Sequence, residues 1–545
     1  MSLAAATSGL LLYGCTAESE SRVENAAAGG TSTQDIASSD EAIVRTDSGS
    51  VKGALFDGYR TFWGIPYAAP PVGARRWQAP APVTPWAEQR DATKLPNVCP
   101  QFGVGTVVGD EDCLYLNVTT PRTASPRLRP VMVYAHGGAF IAGFGHRYDP
   151  HRLATGGDAV VVTINYRLNV FGQLAHPSLG DTNFTLQDQL AALRWVQRNA
   201  VAFGGDPTNV TFFGESAGGL GICALMTSPL AVGLFQKAAI QSGMCTTDWP
   251  NQGLSPLNPA GSGWLLPQEA EQVGLATAKA FGCTDPKTAI DCLRKVPAAA
   301  LLTSPPALTY PGFSNPIYGT PILPEHPATA LDRGHFLRIP VLAGSNLDEG
   351  RAFVRAFDDI KPITAERYSE LLKTSYGDDA DAVAAHYPLD HYDSPKLAWA
   401  AVITDRTIVC PTLRGNRLLS AHTTVYAYEF ADRTAPGLLP VPAGMPPGAM
   451  HSSELSYLFD LPSNFPSLNP VQLELGATMV GYWTRFARTG NPNGTDLPAW
   501  GRFRAWSATP YVQSLNTGAD AFHTVDLGTE HQCDFWESQR SAYAP

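Results

Sequence analysis

The spacing of hydrophobic positions changes several times along the chain, and each change predicts an element. From about Ala42 short apolar runs alternate with polar residues and Gly turns (IVRTDSGSVKGALFDGYRTFWGIPYAAPP), which predicts a meander of short strands and then a loop reaching Trp86. Asp112 to Thr119 and Pro130 to Ala135 read as two further strands. Ala159 to Tyr166, AVVVTINY, is almost continuously apolar, the pattern of a parallel strand covered on both faces. The spacing then lengthens: Leu190, Leu193, Val196 and Ala200 recur at helical intervals within Leu186 to Phe203, and Gly204-Gly205-Asp206-Pro207 stops that helix. Val210 to Phe213 is again β-branched and aromatic, so strand, helix and strand follow in order and predict a parallel sheet. Ala238 to Gly243, Ile339 to Ser345 and Thr423 to Phe430 continue it. Trp249 to Pro267, long and Pro- and Gly-rich, reads as a lid or binding loop or as a plain insertion; Ser304 to Pro327 is another irregular stretch, and Ala435 to Gly448 a Pro/Gly loop.

Composition narrows the classes. A net charge of −11 argues against a nucleic-acid surface, and no apolar run is long enough to span a bilayer. Residues 2–14 form a short apolar run, and Leu12-Tyr13-Gly14-Cys15 resembles a lipoprotein cleavage box after which Cys15 would carry lipid, although the first basic residue is Arg22. Residues 16–41 have the composition of a flexible tether. The expectation is an export signal or lipoprotein leader with linker over 1–41, one folded domain over 42–545, and a location outside the cytoplasm: secreted, periplasmic or lipid-anchored to a bacterial membrane. Cysteine usage fits an oxidising compartment. Cys283 and Cys292 bracket a short loop, Cys99 and Cys113 a Gly-rich one, no C-x-x-C pair suggests zinc, and the connectivity stays open.

The chemistry centres on Val210 to Leu225, VTFFGESAGGLGICAL, a short strand, a glycine turn and a helix with Ser216 at the apex. Gly214 and Gly218 flank it in G-x-S-x-G spacing, which lets neighbouring segments approach a strained turn that lifts the hydroxyl above the sheet. The N–H of Ala217 then points at any oxyanion formed there. Gly138 and Ala139, in the His136-Gly137-Gly138-Ala139-Phe140 turn after a strand, are the second and third candidate donors. In hydrolases of this architecture an acid and then a base follow the serine, each on a loop after a later strand. Glu349, four residues beyond IPVLAGS, and His451, after the loop that follows TTVYAYEF, occupy those places. His386, His391, His422, His523 and His531 do not.

Taken together, these stretches resemble the type-B carboxylesterase family, which includes cholinesterases, bacterial para-nitrobenzyl esterases and animal carboxylesterases. The resemblance runs over about 42–540 and rests on GIPYAAPPVGARRW, EDCLYLNV, HGGAF, NYRL, FGGDP, GESAGG, GSNLDEG and HSSEL in that order. It implies an α/β-hydrolase fold: a large, mostly parallel central sheet with helices on both faces and long loop insertions over the active site. It also implies Ser216 as nucleophile, Glu349 as acid and His451 as base, an oxyanion hole from Gly138, Ala139 and Ala217, and an Arg76–Glu111 salt bridge. Disulfides Cys99–Cys113, Cys283–Cys292 and Cys410–Cys533 carry over by position, while Cys223 and Cys245 form either a fourth bridge or two buried thiols. The loop between Cys99 and Cys113 lacks the tryptophan on which cholinesterases stack a quaternary ammonium, so a choline site is not supported. Trp249 lies near where the family places acyl-pocket aromatics. The expected activity is hydrolysis of small-molecule carboxylic esters, hydrophobic or xenobiotic, with no metal or cofactor, falling below roughly pH 6–7 as a free imidazole charges. A transacylase, an amidase or a binding protein on the same scaffold are the rival readings.

Overall fold

A computed structural model describes residues 39–539, apart from 104, 309–311, 508 and 520; the expected leader with Cys15 lies outside the described residues. Ten strands form the central sheet: β1 (Ala54–Leu55), β2 (Tyr59–Pro66), β3 (Tyr115–Pro121), β4 (Arg129–Ala135), β5 (Val160–Ile164), β6 (Gly205–Glu215), β7 (Lys237–Gln241), β8 (Val341–Asn346), β9 (Val425–Phe430) and β10 (Val512–Leu515). Their order across the sheet is β1-β2-β3-β5-β4-β6-β7-β8-β9-β10. β1, β2 and β3 pair antiparallel and β3 meets β5 antiparallel; from β5 to β10 every pairing is parallel. The predicted meander is therefore divided. Ile43–Arg45 and Ser50–Lys52 join Arg90–Asp91 in a separate three-stranded sheet, and only the later strands reach the edge of the large one.

Period-2 alternation with both faces apolar explains why this sheet is covered on both sides. On one face Val131, Val133, Val210, Phe212 and Val341 pack under α1 (Phe184–Asn199), α2 (Ala217–Met226) and α3 (Cys410–Ser420), through Leu190, Leu193, Ile222, Leu225 and Leu413. On the other face Met132, Tyr134, Phe213, Leu342 and Tyr428 pack under α4 (Pro470–Thr489), through Leu475, Met479, Tyr482, Trp483 and Phe486. The central strands are thus immobilised from above and below, and what stands at their carboxyl ends is held by the core.

The structure revises the glycine-rich stop after the helix. Gly204 (φ 81°) does cap the last turn, but Gly205 already pairs with Arg129, so β6 starts there and runs over a register shift to Val210 and on to Glu215. Among the described residues four disulfides are present: Cys99–Cys113, Cys223–Cys245, Cys283–Cys292 and Cys410–Cys533. Cys223 and Cys245 are therefore a bridge and not two thiols. The Arg76–Glu111 pair also forms, Nε to Oε2 at 2.7 Å with a second, parallel contact, and Arg76 donates to the Val296 carbonyl at 2.7 Å, fastening the segment after the Cys283–Cys292 loop. Among the described residues no helix is long and apolar enough to cross a membrane.

Candidate active site

Ser216 sits where β6 ends and α2 begins, at φ 55° and ψ −122°, a backbone conformation that L-residues rarely adopt. The strain is sustained because both neighbours are fixed: the Ser216 N–H donates to the Gln241 carbonyl at 2.9 Å, and its carbonyl accepts from Leu220 N–H at 2.9 Å. A Cβ at Gly218 would lie 2.1 Å from the Ala135 carbonyl oxygen and one at Gly214 2.4 Å from the same atom. The G-x-S-x-G spacing thus reflects how tightly the elbow is pressed against the end of β4.

The turn that follows β4 supplies the two other candidate donors. Gly138 (φ 103°), Ala139 (φ 53°) and Phe140 (φ 59°) take positive φ in succession, and the Gly138 carbonyl accepts from both Ile141 and Ala142 N–H at 3.0 Å. A Cβ on Gly137 would come within 3.1 Å of the Ser216 Cβ, so this turn abuts the serine. Among the described residues, the N–H groups of Gly138 and Ala139 donate to no hydrogen bond, and Ala217, first residue of α2, has no intrahelical acceptor. Consecutive free N–H groups at a helix start and in a left-handed turn can bind an oxyanion.

The acid and base loops are latched together. Asp348 N–H donates to the Ala449 carbonyl at 3.0 Å, and Ala449 N–H returns to the Asp348 carboxylate at 3.1 Å. Glu349 is fully buried; its Oε1 accepts from Ser242 Oγ at 2.5 Å and Asn346 N–H at 2.8 Å, leaving Oε2 to hold His451 Nδ1 at 2.5 Å. That bond anchors the ring at Nδ1.

His451 Nε2 does not bond the serine in this structure. It lies 3.1 Å from Glu215 Oε1, which also accepts from Ser452 Oγ at 2.6 Å, and among the described residues the Ser216 hydroxyl has no hydrogen-bond partner. Glu215 and Glu454 are buried acids that the reading of the sequence did not assign. Glu454 accepts from Gln241 Nε2 at 2.9 Å and Asn346 Nδ2 at 2.7 Å. Burial, then the neighbouring Glu215 carboxylate, pushes Glu454 up to about 8, and burial raises Glu215 as well. For His451, burial opposes the charge, but the Glu215 and Glu349 carboxylates outweigh it and raise the imidazole to about 9. A signal for both acids was present: one abuts the serine in GESAG, the other follows the histidine by one short turn in HSSEL.

Ser216, Glu349, His451, Gly138, Ala139 and Ala217 thus come together at the carboxyl edge of the sheet. Trp249 is buried on a two-residue strand, Asp248–Trp249, paired with Gly261–Ser262. Serine, imidazole, carboxylate and N–H donors in this arrangement are equipment for acyl transfer.

Comparison with known proteins agrees over the same residues. The Carboxylesterase family model matches residues 40–536. The chain is similar to a para-nitrobenzyl esterase of Bacillus subtilis, 34% identical over 485 residues, covering 84% of this chain and 92% of that protein. It is similar to carboxylesterase 4A of Bos taurus, 33% identical over 514 residues, covering 85% and 90%. It is also similar to a fumonisin B1 esterase of Sphingopyxis macrogoltabida, 35% identical over 494 residues, covering 85% of each chain.

Proposed function

The chain belongs to the carboxylesterase family and is a carboxylic ester hydrolase, and from that premise we propose that it cleaves small-molecule esters through an acyl-enzyme on Ser216. As the ester carbonyl settles against Gly138, Ala139 and Ala217, His451 Nε2 swings from Glu215 to Ser216 Oγ, since catalytic hydrogen bonds tighten in the substrate complex. Oγ attacks the carbonyl carbon while Nε2 takes its proton, and the three N–H groups hold the resulting oxyanion. Each such donor is worth about 3–4 kcal/mol where one has been removed. The imidazolium, steadied by Glu349, returns the proton to the leaving alcohol. Water then repeats the sequence on the acyl-enzyme, His451 again acting first as base and then as acid.

What carries this reading is the Glu349–His451 bond at 2.5 Å, made on two loops latched to each other beside a strained Ser216. Ser216→Ala tests it. Burst and turnover on p-nitrophenyl esters are expected to vanish with the circular dichroism unchanged, and retained turnover would overturn the assignment. Buried Trp249 is proposed as a wall of the acyl pocket, so Trp249→Ala is expected to move the preferred acyl length in the same ester series. Four disulfides support a location outside the cytoplasm; fatty-acid labelling of the full chain, lost in Cys15→Ala, would distinguish a lipid anchor at Cys15 from a secreted or periplasmic form.

A further inference from the structure

One disulfide joins two parts of the machinery to each other. Cys223 lies on α2, about two turns beyond Ser216. Cys245 lies on the segment leaving β7, three residues after Ser242, the hydroxyl donor to Glu349. This segment is crowded on its catalytic side: Ser242 has φ 50°, and a Cβ at Gly243 would lie 2.3 Å from the Ser216 carbonyl oxygen. On its far side it borders a cavity of about 1200 Å³, lined by Cys245, Thr246, Thr247 and Asp248 together with Trp264 and His326 and separate from Ser216, Glu349 and His451. Met244, Cys245 and Thr246 are nonetheless buried, so the segment runs between the core and that cavity. At its start the Ser242 N–H donates to the Gly344 carbonyl at 2.9 Å, and at its end Arg406 pairs with Asp248; between them it is tied by Thr246 Oγ1 to the Pro411 carbonyl at 2.5 Å, by Trp264 Nε1 to the Cys245 carbonyl at 3.0 Å, and by the bridge, whose Cys223 Sγ also accepts from Cys245 N–H at 3.0 Å.

We propose that the Cys223–Cys245 bridge positions the acid for the reaction, keeping the Ser242 hydroxyl in register with Glu349 and with the nucleophile helix that the segment abuts. The two cysteines and Thr246 act as positioning residues, through Ser242 on Glu349. The inference rests on the proposed roles of Ser216, Glu349 and His451.

The test uses the full chain with p-nitrophenyl acetate, well below the melting temperature of every variant. Cys223→Ala/Cys245→Ala is expected to lower kcat about 10- to 100-fold with KM within about twofold, the signature of misplaced groups and not of lost binding. Cys283→Ala/Cys292→Ala, which opens a bridge away from the serine, is expected to keep kcat even where its melting temperature falls. Should the first variant not fold, Thr246→Val replaces it, with a several-fold fall in kcat at unchanged KM expected. Full kcat in the soluble variant, with only its melting temperature lowered, would overturn the proposal and leave the bridge a stability staple. Ser216→Ala in the same assay separates the two readings. If it loses turnover while the bridge variant keeps it, the positioning proposal alone fails; if Ser216→Ala turns over, the underlying assignment fails and takes the proposal with it.

Discussion

In the proposed mechanism, proton abstraction from Ser216 needs a neutral imidazole, and the surroundings of His451 favour a charged one. Burial lowers its basicity, but the Glu215 and Glu349 carboxylates more than reverse this and hold it near 9. The acid limb of kcat/KM is accordingly expected above the pH 6–7 read from a free imidazole, in the mildly alkaline range. Replacing Glu215 by Gln removes a negative charge that stabilises the imidazolium, so the limb should move toward lower pH. A pH profile of the variant that superimposes on wild type would show that Glu215 does not set the base. The turn proposed to bind the oxyanion offers a second residue-scale expectation. A Cβ at Gly138 would sit 2.1 Å from the Ala142 carbonyl oxygen at φ 103°, so Gly138→Ala should displace the turn. A fall in kcat of about 10²- to 10³-fold is expected, as for loss of an oxyanion donor, and steady-state kinetics beside circular dichroism would register it.

Among elements, the C-terminal helix Cys533–Ser538 is held by an ion cluster outside the active site. His531 lies between Asp405 at 2.5 Å and Glu429 at 2.7 Å; Asp405 also accepts from Tyr387, whose hydroxyl accepts from Trp536 Nε1 at 2.6 Å. Burial opposes charge on His531, yet the two carboxylates, Asp405 first, raise it well above its usual range. A histidine whose folded value is raised stabilises fully below its unfolded value near 6.5 and loses that contribution as pH rises through the raised value. His531→Gln leaves two buried acids without their cation and is expected to cost about 3–5 kcal/mol near neutrality. Urea midpoints against pH should show the gap to wild type closing on the alkaline side, and a gap constant with pH would exclude the ion cluster as its source. Nothing in the sequence pointed to this cluster. Its members are 126 and 102 residues apart, and periodicity reports which face of an element is buried but not which distant element meets it. Ser216, Glu349 and His451 could be singled out for the opposite reason: each follows a recognisable strand, and chain order with the resemblance suggests the roles proposed for them.

At the scale of the molecule, the same contrast governs what could be read. Apolar runs covered on both faces announced the parallel strands from Val160 onward, whereas the antiparallel edge from Ala54 to Pro121 and the separate three-stranded sheet were not separable, because half-exposed alternation looks alike in either. The pairing of Cys223 with Cys245 was equally closed to inspection, since it depends on where β7 delivers its exit loop against α2. Covalent links show how the whole chain is held. The four bridges close intervals of 9, 14, 22 and 123 residues. If their main effect is to restrict the unfolded chain, their worth grows with the logarithm of the interval, from about 2.5 kcal/mol for the shortest to about 5 for the longest. Double alanine variants should then lose thermal stability in the order Cys410/Cys533, Cys223/Cys245, Cys99/Cys113, Cys283/Cys292. Differential scanning calorimetry at one scan rate would rank them. A Cys283/Cys292 variant melting below the Cys410/Cys533 variant would mean that the bridges stabilise through the native contacts they organise, Arg76 with the Val296 carbonyl foremost among them for the short loop.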